Sequence, residues 1–181
     1  MDVNNLCLGV LCLGEASGYE IKKMFESAFS HFQAASFGSI YPALAKLTEA
    51  GLVSFREEPQ EKRPNKKVFQ ITEPGRRQIM QKLASTEPAD QYRSDFLVLM
   101  MFAHLLAPER LAEVFAQQAE NLKTEIATLE KILQEGCHLT AGMRFTIEYG
   151  IAANQAIYRL MQTRKQTLLS EIKQEQDHRE N

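Results

Sequence analysis

The chain has 181 residues, 21 Lys and Arg against 23 Asp and Glu, a formal net charge of -2 and 44% hydrophobic residues. That length accommodates one or two domains with a substantial core, and the near-neutral whole does not advertise nucleic-acid binding, so the distribution of charge matters more than its sum. No apolar run approaches the roughly 20 residues that span a bilayer, the N-terminus lacks a signal-peptide pattern, and Cys7, Cys12 and Cys137 show no metal-type spacing; a cytoplasmic protein with no cofactor is expected.

Residues 3–13 are almost wholly apolar and predict a first helix in which Leu6, Val10 and Leu13 seal a small domain and Cys7 is a buried, inert thiol. Gly14 ends it. Ser17 is placed to cap a second helix through residues 18–29, with Ile21, Phe25 and Phe29 facing inward and Lys22 and Lys23 outward. Tyr19 falls near the positive end of that helix, where its hydroxyl can meet a phosphate or its ring can pack. Residues 31–35 supply a turn.

Residues 36–51, SFGSIYPALAKLTEAG, form a short amphipathic helix with its own start and stop signals. Ile40, Ala43, Leu44, Leu47 and Ala50 make one stripe; Ser39, Tyr41, Pro42, Ala45 and Lys46 lie opposite. Ser36 or Gly38 can cap it, Pro42 restricts it to an early start, and Gly51 suits a left-handed residue after the last turn. Residues 52–56 and 68–71 read as two strands around a charged loop holding Pro59 and Pro64. Helix, glycine, strand, basic loop, strand is the order of a winged helix. Residues 62–82 hold seven basic side chains, Lys62, Arg63, Lys66, Lys67, Arg76, Arg77 and Lys82, against the one acid Glu73, a local patch suited to phosphate contacts.

In three blocks the chain resembles the PadR family of transcriptional regulators. The blocks are Gly18-Tyr19-Glu20-Ile21; Gly38-Ser39-Ile40-Tyr41-Pro42-Ala43-Leu44 with Leu47, Glu49, Gly51 and Leu52; and residues 67–76, KVFQITEPGR. The family usually has a more aromatic strand where Val68 and Phe69 stand and a lysine at Pro74. The resemblance implies a DNA-binding regulator, generally a repressor, some members being released by small aromatic or drug-like compounds. In the longer, AphA-like group it also implies a C-terminal helical dimerisation domain.

Thr72 is expected to cap a helix with Pro74 in its first turn and Ile79, Met80 and Leu83 as its stripe. Residues 86–88, Thr-Glu-Pro, mark a boundary between a winged helix-turn-helix domain, 1–86, and a helical coiled-coil dimerisation domain, 87–181, giving a mostly α, α+β fold. Residues 95–106 are too apolar all round for a surface helix. Phe96, Met100, Met101 and Phe102 there either line an adaptable pocket near the domain junction or form plain core. Pro108 opens a long helix carrying Ala112, Phe115, Ala119, Leu122, Ile126, Leu129 and Leu133. A last helix from Thr140 spaces Ile147, Ile151, Asn154, Tyr158, Met161, Lys165, Leu168 and Ile172 in threes and fours, a coiled-coil seam whose Asn154 and Lys165 cost stability while fixing register. A homodimer is expected through Phe115, Leu122, Ile126, Leu129, Ile147, Ile151, Asn154, Tyr158, Met161 and Leu168.

No phosphate loop, zinc-protease motif or nucleophile elbow is present, so an enzyme is not expected, and the adjacent Cys137 and His138 are too few for a metal site. The expected partner is double-stranded DNA, with a small hydrophobic or aromatic effector and no membrane. The DNA contacts expected are Tyr19, Lys22, Lys23, Ser36, Gly38, Ser39, Tyr41, Pro42, Lys46, Arg63, Lys66 and Lys67. Residues 36–51 contain no Arg, Asn or Gln, so strong bidentate base contacts are missing, and specificity is expected to draw on DNA shape and on Arg63 in a minor groove. The competing reading is a winged-helix module whose basic wing binds an acidic protein.

Overall fold

A computed structural model describes residues 1–26, 37–59, 65–90, 92–136 and 139–180. Phe29, residues 31–36, Lys62, Arg63, Pro64, Cys137 and His138, all singled out above, lie outside the described residues. The chain divides into two compact units, Met1–Ala89 and Asp90–Asn181.

In the first unit, α1 (Val3–Leu11) is capped by Asp2, whose carboxylate accepts from the Asn5 N–H at 2.9 Å. It buries Cys7, Leu8, Val10 and Leu11, whereas Leu13, expected inside, is 52% exposed because the helix ends before it. Burial pushes the Cys7 thiol up to about 12, which leaves it unreactive at neutral pH. A two-residue strand, β1 (Ala16–Ser17), precedes α2 (Gly18–Met24). No sequence pattern announces two residues, and β1 was not anticipated. The recognition-type helix α3 (Ile40–Glu49) begins at Ile40 behind a 3-10 turn at Phe37–Ser39, with Ser39 and not Gly38 at its N-cap position. Pro42 therefore falls in the first turn, where its missing N–H costs nothing. The helix ends in a Schellman motif: Leu52 N–H donates to Leu47 O at 2.9 Å and Gly51 N–H to Thr48 O at 3.0 Å, with Gly51 at φ +68°.

Strands β2 (Val53–Glu58) and β3 (Lys66–Ile71) pair antiparallel from Val53↔Ile71 to Glu58↔Lys66, and β1 adds to β3 through Ser17↔Val68, giving the order β1-β3-β2. Thr72 caps α4 (Glu73–Ser85), its hydroxyl accepting from Gly75 N–H at 3.3 Å. Of the expected α4 stripe, Ile79 is buried while Met80 and Leu83 are 62% and 56% exposed. Ile21, Phe25, Ile40, Leu44, Leu47, Val53, Phe69 and Ile79 close one core with α1. Ala50, expected on the inner stripe, is exposed at the helix terminus.

The second unit consists of α5 (Asp95–Met101), α6 (Pro108–Glu135) and α7 (Ala141–Glu180). Helices α6 and α7 run antiparallel: Gln176, late in α7, donates its amide to the carbonyls of His104 at 3.2 Å and Leu106 at 2.8 Å, just ahead of α6. Phe115, Leu122, Leu129, Ile147 and Met161, expected to face a partner, are at most 6% exposed within the single chain, and Ile126, Ile151, Asn154, Tyr158 and Leu168 are half-buried. The three-four seam thus closes α6 on α7 of the same chain. Conversely α5, expected to be core, buries no residue: Leu97, Val98, Met101 and Phe102, with Leu105 just after it, are 50–75% exposed. Among the described residues, no helix is long and apolar enough to cross a membrane.

Candidate nucleic-acid interface

The alternation of α3 sorts its residues cleanly. Ile40, Ala43, Leu44 and Leu47 are buried, and Gly38, Tyr41, Pro42, Ala45, Lys46 and Glu49 are exposed along one stripe, with Ser39 half-buried at its head. Near the start of this face the side chains are small apart from Tyr41, so the backbone can approach another surface closely. Tyr41 is 57% exposed, and its ring lies over Gly18, the first residue of α2.

The start of α2 is fixed by a capping box. Ser17 Oγ accepts from Glu20 N–H at 3.3 Å while the Glu20 carboxylate accepts from Ser17 N–H and Ser17 Oγ, each at 2.7 Å. The same carboxylate accepts from Lys66 Nζ at 3.0 Å. These bonds hold the Glu20 carboxyl well below its ordinary range, at about 2, the backbone bond from Ser17 being the largest cause. The pattern Ser-x-x-Glu at residues 17–20 signals such a box, and reading Ser17 alone missed Glu20.

The wing carries a different chemistry at each side chain. Lys66, expected to contact DNA, is half-buried and pairs with Glu20 at 3.0 Å. Lys67 is exposed, its ammonium 4.5 Å from the centre of the Phe55 ring, which packs in turn on Phe69 at 5.8 Å. Arg56 is held between Glu15 and Glu58, the latter at 3.1 Å. On α2, Tyr19 is 67% exposed, Lys23 is exposed, and Lys22 pairs with Glu26 at 3.4 Å. Tyr41, Lys46, Lys67, Tyr19 and Lys23 are thus solvent-facing in one unit; Ser36 and Arg63 lie outside the described residues.

Among the described residues, no group of three or more His, Cys, Asp or Glu is arranged to hold a metal ion. In the second unit a groove of about 870 Å³ is lined by Phe96, Leu99 and Val114 with Arg110, Glu113 and Gln117 among its polar walls. Of the four residues expected around a pocket, Phe96 is on this wall, edge-on to Phe115 at 5.5 Å; Met100 packs against the core, and Met101 and Phe102 face solvent.

A three-stranded wing beside an amphipathic helix with a bare outer face defines a winged-helix domain of the DNA-binding type. Comparison with known proteins gives the family. Residues 7–81 match the transcriptional regulator PadR-like family and residues 92–180 the virulence activator alpha C-terminal family. The PadR-like transcriptional regulator BC1756 from Bacillus cereus is 31% identical, with a TM-score of 0.81, over 93% of this chain and 94% of that one. The negative transcriptional regulator PadR of Bacillus subtilis is 28% identical over 68% of each chain; its structure in complex with operator DNA superposes with a TM-score of 0.74 at 22% identity, covering 93% of this chain and 98% of that one. The chain belongs to the PadR-like family of transcriptional regulators, in its longer form with the virulence-activator type of C-terminal domain. It is a regulator and not an enzyme.

Proposed function

We propose that this regulator binds an inverted-repeat DNA operator as a homodimer and represses transcription from it. Residues 1–86 supply the DNA-binding domain and residues 87–181 the dimerisation domain. The observation that carries the reading is the outer face of α3: it is exposed along its length, small at its head, and carries Lys46, while Lys67 is exposed on the wing of the same unit. Tyr41 and Ser39 enter or border the major groove, Lys46 meets the backbone, and Tyr19 and Lys23 contact phosphates beside them. Two copies related by a two-fold axis set these helices on half-sites roughly 34 Å apart. The exposed apolar side chains of Leu97, Val98, Met101, Phe102 and Leu105, close together in sequence, support the dimer, since exposed apolar residues gathered in one segment favour a protein partner. The proposal includes a small aromatic or apolar effector, for which the groove beside Phe96 and Arg110 is a candidate seat.

The test is retention of the DNA upstream of the protein's own coding region, against scrambled competitor, at two salt concentrations. Selective binding that weakens steeply with salt is expected. Tyr41→Ala lowers affinity for the selected site, and Lys67→Ala reduces the salt slope by about 0.9 on log-log axes, the loss of one phosphate contact. Absence of any salt-steep DNA binding, with a Lys67-dependent complex to an acidic protein, would replace this reading by the protein-interaction module.

A further inference from the structure

We propose that Gly18 is a positioning residue for DNA recognition: its bare Cα seats the ring of Tyr41 and holds that ring on the reading face of α3. The inference deepens the function proposed above and rests on its assignment of Tyr41 to DNA. Glycine at position 18 has no conformational reason to be there. Its φ is not positive as that of Gly51 is, and alanine, the better helix former, would serve equally well at the start of α2. Space is the reason. A Cβ built on Gly18 would lie 2.6 Å from Cε1 and 3.2 Å from Cδ1 and Cζ of Tyr41. Those atoms are the outer edge of an exposed side chain, so a methyl at residue 18 pushes the ring away and leaves the core intact.

The seat is itself anchored. Ser17 pairs with Val68 of the wing strand, and Glu20 binds both Ser17 and Lys66. One short segment therefore registers the Tyr41 ring against the wing, so the two DNA-contacting elements keep a fixed relation. An exposed tyrosine without such a seat samples several rotamers, and ordering it on DNA weakens binding.

The experiment is a double-variant cycle in the full-length protein, using the upstream fragment selected above. Gly18→Ala is expected to melt close to the parent and to lose on the order of tenfold in site affinity, matching Tyr41→Ala. Adding Gly18→Ala to Tyr41→Ala should cost nothing further. If Tyr41→Ala alone binds like the parent, the assignment of Tyr41 to DNA is wrong. If Tyr41→Ala weakens binding while Gly18→Ala does not, or the two losses add, the seat is wrong. A measurement on the parent stands apart from any folding defect: the Gly18 Hα resonances should be displaced by the ring and stay displaced in the DNA complex, and loss of the displacement on binding overturns the proposal.

Discussion

Gly75 stands in the first turn of α4, where an added Cβ would run into the carbonyl oxygen of Leu52, an oxygen already bonded to Thr72 N–H at 3.0 Å. Unlike the Tyr41 ring over Gly18, that obstacle is backbone and cannot swing aside. Gly75→Ala should therefore destabilise the protein by about 1–3 kcal/mol in denaturant unfolding, the range for overpacking, although alanine is the better helix former. Glu20 makes a residue-scale prediction about acid. Its folded carboxyl titrates at about 2 against an ordinary 4.5, so the folded state favours the ionised form. Its contribution is complete above pH 4.5 and lost as pH falls toward 2. The side chain is 51% exposed, so solvent screens much of this. Glu20→Ala should flatten the fall of melting temperature between pH 4.5 and 2; a parent-like acid limb in that variant would show that the bonds to Ser17 and Lys66 do not stabilise the fold.

At the scale of elements, helix α3 was legible because a short helix with Ile40, Leu44 and Leu47 inside and a terminal Gly51 leaves few alternatives. Its first residue was not, since a 3-10 turn at Phe37–Ser39 has no hydrophobic period of its own. Strand β1 was invisible for the same reason. Of the expected DNA contacts, the exposure of Tyr41 and Lys46 follows from helical spacing, whereas the pairing of Lys66 with Glu20 joins residues 46 apart and leaves no trace in local pattern. Helix α5 shows the limit of composition: an apolar segment reads the same whether its own chain or another surface covers it. In α7, Asn154 was expected to cost stability. Its Nδ2 is buried with no hydrogen-bond partner among the described residues. Asn154→Leu removes that orphaned donor and should raise stability by about 1–3 kcal/mol in thermal or denaturant unfolding, and a loss instead would mean that the amide is satisfied.

For the whole molecule, the dimer proposed above, if the exposed apolar side chains around α5 form it, would tie oligomeric state to DNA affinity. Met101→Glu combined with Leu105→Glu changes two residues that are 75% and 71% exposed, so the folded chain should tolerate both. If that surface joins two copies, sedimentation velocity will show a shift from dimer to monomer. Site affinity will then fall steeply because each half-site must be bound independently; an unchanged dimer would move the interface elsewhere. The bonds from Gln176 to His104 and Leu106 have a consequence for synthesis as well. The first core closes once the residues through Ile79 have left the ribosome, so the winged helix can fold while the rest is being made. The second unit joins residues far apart in sequence, its core pairing Leu111 and Phe115 with Met161 and Ile172 and its Gln176 amide bonding carbonyls about 70 residues upstream, so it is completed only as α7 is translated. During that interval the winged helix can already be folded on a chain whose α6–α7 pairing is incomplete.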